Sequence, residues 1–570
     1  MYIFSNFLNL YNFLTFKNKI LFLILVFFLL ISSILDAVGV ALIIPFFDLL
    51  LERETSFFTS LITNFFKNFY KDKQLTLVFV IFILLFYSFK SLVIGFANYL
   101  QYYFVFKIQS NIKINIFKYY INLPYKKFLD LNSSKITNLV TQDLHLFIFN
   151  FMVPLLVLIA ESLIILSILI LFMIINPLNF IFFLVIFLLF LILFFFLKLS
   201  TKKHKYWGEK RESLDEQSLK IFQNALTNIK ITKINNKIDY FVNDFSNKVY
   251  LSSKLQSFFY TILQLPRIFV ELLIIFLLLL SYYILSNSGS NHDTLVSLAL
   301  LTAGAFRIAP SINRVMLALQ SLKYSQSTFI KVYSFLQREK KFTKNNIIKN
   351  IIFKNSKLTF KNINFSYKKQ KILNNISLDI NAGEFVAIIG KSGSGKSTLL
   401  DLLSGILIPT SGYTYLNNQK IKLNNFSWQK KIGYVTQSNI LLDENIYQNI
   451  SFGTKVNKIL INEILSSLNL KNFINSDNKN LGEKGLKISG GQAQRISLAR
   501  ALYLKPEILL IDEGTNALDA VTEKVIMNFL YAQKGKITVI FVSHRNNILN
   551  KCDKIYEIKN NKIFLKKNKL

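Results

Sequence analysis

The sequence predicts a multidomain protein, an all-α membrane half of six spans followed by a soluble α/β half. Three observations carry this. Hydrophobic residues make up 52% of the 570 positions and mean hydropathy is +0.38, too apolar for an ordinary soluble protein. The apolar residues are concentrated before about Leu319, whereas short β-like runs alternate with helical patterns after the Lys- and Asn-rich stretch Gln337–Asn350. In that second half Gly390-Lys391-Ser392-Gly393-Ser394-Gly395-Lys396-Ser397 fits the pattern of a phosphate-binding loop. The expected divisions are a membrane domain over residues 1–336, a linker over 337–352 and a nucleotide-binding domain over 353–570.

Charge narrows the class of partner. The formal net charge is +35, but the lysines are scattered and no nucleic-acid motif accompanies them, so nucleic acid is not an expected partner. A basic cytosolic face against anionic membrane lipid accounts for the excess, together with a plain compositional bias toward Lys, Asn, Ile and Phe. Cys552 is the single cysteine, which leaves no disulfide framework and no thiol metal cluster. The first apolar run lacks a small-residue cleavage site after it and reads as a retained span.

Six segments reach the ~20 residues that a bilayer demands: Ile20–Phe46, Leu75–Phe104, Phe151–Ile175, Leu178–Leu197, Phe258–Leu285 and Leu295–Leu319. Lysines crowd Lys107–Lys135 and Lys198–Lys254, while Asn176-Pro177 and Ser286–Thr294 carry no Lys or Arg. The positive-inside rule then puts both termini in the cytosol, with two long cytosolic excursions. Their tips, near Leu123–Ile136 and Thr227–Phe241, read either as contacts to a cytosolic motor or as basic loops that meet lipid headgroups. In the outer connection Leu51–Gln74, residues Phe58, Ile62, Phe65 and Phe69 form one apolar helical stripe within residues 57–70. That stripe suits a helix on the outer surface or a structural cap.

Charges inside spans are costly and therefore informative. Asp36, Lys90, Glu161, Arg267, Glu271, Arg307 and Arg314 fall within or near them. Arg267 and Glu271 can pair at i,i+4, and Asp36 or Glu161 can pair with Lys90. Arg307 and Arg314 share a helix face, with Pro310 between them and no acid within a turn of either. Two cations about 10 Å apart along one axis suit a diphosphate or another anionic headgroup. Lys90, Arg267, Arg307 and Arg314 are the candidate substrate residues, with mutual neutralisation as the competing reading.

The motor motifs follow in order. The strand Phe385–Ile389 leads into the glycine loop, and Thr398–Leu403 begins a helix. Backbone N–H groups from Gly390 to Thr398 would face a polyphosphate at the positive end of the helix dipole. Lys396 would reach the β- and γ-phosphates of ATP, and Ser397 would place its hydroxyl on Mg²⁺. Tyr367, a little over twenty residues earlier, offers an aromatic ring to adenine or is an ordinary strand residue. Gln437 follows an apolar strand and is a candidate Mg²⁺ ligand that reports nucleotide state. Ile488-Ser489-Gly490-Gly491-Gln492 makes a second anion-binding helix start. The apolar strand Ile508–Ile511 ends in Asp512, which would hold Mg²⁺ through water, and Glu513, which would orient or deprotonate the attacking water. Asn516-Ala517-Leu518-Asp519 comes next, and His544 after the last apolar strand would contact the γ-phosphate.

With these motifs assembled, the chain resembles an exporter-type ABC half-transporter, a six-span domain fused before a P-loop NTPase domain. The resemblance implies an ATP hydrolase coupled to transport, with two nucleotide-binding domains sandwiching two ATP molecules. The phosphate loop of one chain would then face Ser489–Gln492 of a second copy, which implies a homodimer in a bacterial inner membrane. Departures are modest: Ile488 replaces the usual Leu, Asn516 the usual Ser, and Lys479-Asn480 precedes Gly482-Glu483-Lys484-Gly485 in place of Thr-Glu. Leu265-Pro266-Arg267 with Glu271, and Phe306-Arg307-Ile308-Ala309-Pro310-Ser311-Ile312-Asn313-Arg314, look like the flippase for lipid-linked oligosaccharides of bacterial N-glycosylation. Lys90 stands where that flippase has Arg, which keeps the charge and loses the bidentate fork. The resemblance implies a polyprenyl-diphosphate oligosaccharide as cargo. The alternatives are an exporter of peptide, drug or simple lipid with the same motor, and a membrane protein whose ATPase gates without pumping.

Overall fold

A computed structural model describes residues 11–42, 45–46, 72–175, 180–286, 291–340, 353, 356–368, 370–438, 440–473, 480–482, 488–513, 520–543 and 549–566. Within helices the side chains at 72–76, 175–202, 291–301 and some positions of 273–286 are not described. The chain divides into two compact units, Met1–Ile121 with Leu131–Thr343, and Asn122–Asp130 with Lys344–Leu570.

The first unit is helical: α1 (Phe16–Ala41), α2 (Asp72–Ile121), α4 (Val153–Ile175), α5 (Phe180–Thr227), α6 (Ile229–Ile234), α7 (Ile238–Ser286), α8 (Asn291–Tyr324) and α9 (Gln326–Lys340). A helical run with two π turns leads from Ser133 into α4. Its polarity is partly inverted, as a lipid-facing bundle requires. Leu84, Leu85 and Leu92 point outward, whereas Asp36, Ser33 and Glu161 are buried. One core joins Phe22, Leu25, Phe104, Ile108, Phe147 and Phe335. Among the described residues four helical stretches are long and apolar enough to cross a membrane: Phe16–Ala41, Leu77–Ile121, Ser133–Ile174 and Ile238–Phe276. The expected span Leu178–Leu197 falls on α5, where side chains are not described, and Leu295–Leu319 falls on α8, where they are described from 302 onward. The helix α9 runs four residues into the stretch read as linker, because Phe329, Val332, Phe335 and Leu336 give it a buried face. Residues 341–352 and the outer stripe 57–70 lie outside the described residues.

The second unit holds two sheets. The antiparallel one is ordered β2 (Gln370–Asn381), β1 (Lys357–Tyr367), β4 (Ser411–Leu416), β5 (Gln419–Ile421). The larger is ordered β10 (Lys562–Lys566), β9 (Lys554–Lys559), β3 (Phe385–Gly390), β8 (Thr538–Val542), β7 (Ile508–Asp512), β6 (Ile432–Val435). All its pairings are parallel except β10 with β9. Every residue of β7 and β8 is buried. Alternate residues go to opposite cores: Phe385, Ala387, Leu509 and Phe541 to one, Val386, Ile388, Leu510 and Ile540 to the other. A parallel sheet covered on both faces reads as continuous apolar strands, which is why these segments were visible in the sequence.

Also in this unit lies α3 (Tyr125–Leu129), one of the two expected tips. Tyr125 packs on the core that contains Leu399 and Leu403. Lys126 Nζ donates to the Ser366 carbonyl at 2.9 Å and sits 5.2 Å from the Phe365 ring centroid. Lys368 pairs with Asp130 at 3.0 Å. The other tip, α6, belongs to the first unit and exposes Ile229, Ile231 and Ile234.

Candidate nucleotide site and membrane charges

The phosphate loop leaves the carboxyl end of β3, where ligands of parallel sheets bind. Two of its glycines are forced by the fold. Gly390 has φ +151°, and a Cβ there would lie 2.6 Å from the Ile558 carbonyl oxygen. Gly395 has φ +99°, caps α10 (Lys396–Leu403), and a Cβ would meet Ile372 at 2.9 Å. Lys396 is buried, and its Nζ donates to the carbonyls of Gly390 at 2.7 Å and Lys391 at 2.9 Å. The ammonium therefore lies within the curl formed by Gly390 to Ser394. The Ser394 Oγ is buried without a hydrogen-bond partner among the described residues.

Next to this curl, the Ser397 hydroxyl donates to Asp512 at the end of β7. Burial holds the Asp512 carboxyl above its ordinary range, as does the neighbouring Glu513; Ser397 and Lys396 oppose the shift. Glu513 adopts φ +50°, a left-handed conformation that costs energy outside glycine. Gln437 Nε2 donates to its Oε2 at 2.8 Å, and Gln494 Nε2 donates to its backbone carbonyl at 3.3 Å. A hydroxyl and adjacent carboxylates are hard oxygen donors, the set that suits Mg²⁺. Two close acids in a desolvated site also gain from a divalent cation, so these residues fit the metal expected of them.

Tyr367 ends β1, hydrogen-bonds with Thr398, and meets Phe365 edge-on with ring centroids 4.9 Å apart. Burial raises its pKa, and Asp401 and Tyr125 add to that. Its ring thus stands close to α10 and α3.

Ser489 caps the helix α11 (Gly490–Tyr503). The Gln492 N–H donates to Ser489 Oγ at 3.2 Å, and the Ser489 N–H donates to Gln492 Oε1 at 2.9 Å. Gly490 and Gly491 form its first turn, and Ser489 and Gly490 are exposed. No hydrogen bond among the described residues joins this cap to Gly390–Ser397. His544, the loop 516–519 and Glu483-Lys484-Gly485 lie outside the described residues.

Two residues escaped the sequence reading. Asp401, four beyond Ser397 on α10, accepts the Tyr434 hydroxyl at 2.9 Å, and burial pushes its pKa up to about 6. Gln494, 4% exposed, holds the Glu513 backbone. Helical spacing from Ser397 was the available signal for the first; the second lies in Ala493-Gln494-Arg495, which directly continues Ser489–Gln492, though no role was read for it.

In the membrane unit every candidate cation meets an acid. Lys90 Nζ lies 2.8 Å from Asp36 Oδ1, and Arg307 pairs with Oδ2 of the same carboxylate, which is 2% exposed. Arg314 engages Glu161 with two nitrogens, Nη2 to Oε2 at 3.1 Å. Arg267 Nε reaches Glu271 Oε1 at 2.8 Å on an exposed face. Arg307 and Arg314 find their acids on α1 and α4, so the two do not share one partner. A cavity of about 570 Å³ is lined by Arg267, Glu271, Phe306, Asn313 and Arg314 among apolar residues. Arg307 and Lys90 are not in its wall.

The geometry defines a phosphate-loop nucleotide-binding fold joined in one chain to a bundle of membrane-type helices. The family model for the ABC transporter transmembrane region matches residues 22–306, half of the chain, and that for the ABC transporter matches residues 373–516. The chain belongs to the ABC transporters, with fused transmembrane and ATP-binding domains. A Rickettsia bellii protein bearing the name of an export ATP-binding/permease protein is 44% identical over 207 residues, 35% of this chain and 36% of that protein. The alpha-hemolysin translocation ATP-binding protein HlyB of Escherichia coli is 38% identical over 217 residues, 37% of this chain and 31% of its own length. The matched part thus spans about a third of each relative. A solved structure of a bacterial Atm1-family ABC exporter with ATP bound has the same fold, with a TM-score of 0.77 over 93% of both chains at 19% identity.

Proposed function

We propose that this chain is an ATP-driven exporter or flippase of a bacterial inner membrane, working as a homodimer with six spans per chain and both termini cytosolic. The observation that carries it is the linked set Ser397, Asp512, Glu513 and Gln437 at the carboxyl ends of parallel strands. Gly390–Thr398 would cradle the phosphates of ATP, and Lys396 would exchange its carbonyl partners for phosphate oxygens. Ser397, Asp512 and Gln437 would hold Mg²⁺, which supplies charge neutralisation at the β- and γ-phosphates. Glu513, already oriented by Gln437 and Gln494, would position the attacking water and take its proton. Ser489–Gln492 and His544 would complete the site, the former from the second chain, and Tyr367 would pack on adenine once it parts from Thr398.

For cargo we favour an anionic amphipath of the polyprenyl-diphosphate oligosaccharide type. Its support is the excess of cations, since among the described residues Lys90, Arg267, Arg307 and Arg314 pair with three acids, Asp36, Glu161 and Glu271. The cavity beside Arg267 and Arg314 offers the apolar surface that a lipid chain needs. A second reading, polypeptide export, is favoured by the similarity to HlyB and to the leukotoxin export ATP-binding protein LtxB of Aggregatibacter actinomycetemcomitans, 37% identical over 206 residues.

Vesicles containing the full chain test both. Glu513→Gln should keep ATP binding and lower hydrolysis by about a hundredfold or more, as loss of a general base does; normal turnover would remove the assignment. Arg314→Gln with Arg267→Gln should slow transfer of a diphosphate-linked glycan by about tenfold or more. Unchanged glycan transfer, with ATP-dependent peptide uptake, would favour the second reading.

A further inference from the structure

A second cavity, about 410 Å³, lies in the membrane unit away from the charged one. Its walls come from the chain before α1, the start of α1, the lysine-rich part of α2, the start of α4 and the end of α9. Phe22, Phe104, Met152 and Leu156 make one end apolar. Asn12, Asn18, Asn111, Asn115, Glu339 and Lys340 add polar groups, and the lining passes from Phe104 to Asn115 along α2 and from Phe22 back to Asn18 along α1. The candidate span Phe16–Ala41 begins within this wall, and Lys107, Lys113 and Lys118 follow on α2. An apolar pocket whose polar mouth sits where a span starts matches the depth of a lipid headgroup.

The charges at the mouth identify the headgroup. Glu339 is half-buried and accepts a hydrogen bond from Asn115, and the described residues give it no cationic partner. Lys340, next in sequence, rests its Nζ 5.5 Å from the Phe13 ring centroid and is given no carboxylate among them. A half-desolvated acid and an adjacent base, neither given an opposite charge by the described residues, complement a zwitterion. A primary ammonium carries three N–H donors for Glu339, and a phosphodiester accepts from Lys340 and from asparagine amides. Phosphatidylglycerol would bring no cation to Glu339, and phosphatidylcholine would bring one without N–H donors.

We infer that this cavity binds one phospholipid with a primary-ammonium headgroup, phosphatidylethanolamine, in the leaflet on the lysine-rich side. The full chain reconstituted in equal phosphatidylethanolamine and phosphatidylglycerol, then released for native mass spectrometry, tests it. The wild-type chain should retain phosphatidylethanolamine about tenfold over phosphatidylglycerol, the scale of one charge-assisted hydrogen bond. Glu339→Gln should bring the ratio near one, and Lys340→Gln should weaken retention of both lipids. Equal retention by the wild-type chain, or an unchanged ratio in Glu339→Gln, overturns the site. If that variant does not fold, phosphatidylcholine decides: retention equal to that of phosphatidylethanolamine overturns the site, and retention at the phosphatidylglycerol level supports it.

Discussion

Glu513 is held from three directions: a left-handed backbone, a bond from Gln437 to its carboxylate, and a bond from Gln494 to its carbonyl. Strain at such a residue persists only when its surroundings over-determine it, and Gln494 reaches it from α11, the helix that begins at the signature Ser489-Gly490-Gly491-Gln492. Any shift of α11 therefore acts on the backbone of Glu513 directly. At the same scale, Cys552 is buried and its thiol is pushed up to about 12 by desolvation, with Asp553 adding to that. A raised thiol pKa means less thiolate at any pH below it. Maleimide or iodoacetamide should label Cys552 in the folded chain about a thousandfold more slowly than an exposed thiol at pH 8. The rate should rise about tenfold per pH unit until the fold opens; labelling at the rate of an exposed thiol would contradict this burial.

Among elements, α3 shows how a five-residue helix connects distant chemistry. Pro124 starts it, Tyr125 packs beside Tyr367 on the α10 core, and Lys126 ties it to β1 through Ser366. Tyr367 in turn bonds with Thr398, one residue after Ser397. Adenine contact at Tyr367 and movement of α3 are thus mechanically adjacent. Tyr125→Ala with Lys126→Ala should lower transport per ATP hydrolysed by about tenfold, within the usual range of a coupling free energy. Vesicle transport and ATPase rates measured together check it, and an unchanged ratio would show that α3 carries no coupling. The strands and α10 were legible in the sequence because their signals are local: both faces of β3, β7 and β8 are covered, so their residues are apolar throughout. α3 and α6 were legible as tips of cytosolic excursions, with motor contact and lipid headgroups as alternatives, because what each docks against is not written locally.

For the whole molecule, no hydrogen bond among the described residues joins the capped Ser489 helix to the phosphate loop, and the proposed homodimer would bring the two together between copies. A mixing experiment tests whether they meet between copies. Lys396→Ala and Ser489→Arg chains should each be inactive alone. Co-reconstituted, they should recover up to about a quarter of wild-type ATPase, because half the dimers then hold one site with both groups intact. No recovery would mean that the two groups work within a single chain.

The sequence by itself determined the motor: the glycine loop, Asp512-Glu513 and the signature helix start are contiguous patterns whose chemistry follows from the local backbone. It also determined that the first half is membrane-type and that its spans carry costly charges. Only the tertiary structure decided which acid each of those cations meets. Asp36 lies 271 positions from Arg307 and Glu161 lies 153 from Arg314, yet each pair is joined. Helical periodicity places residues on a face but says nothing about which helix that face will meet. An unpaired charge in a low-dielectric bundle is too costly to leave, so packing brings an acid from another helix to cations that look isolated along their own.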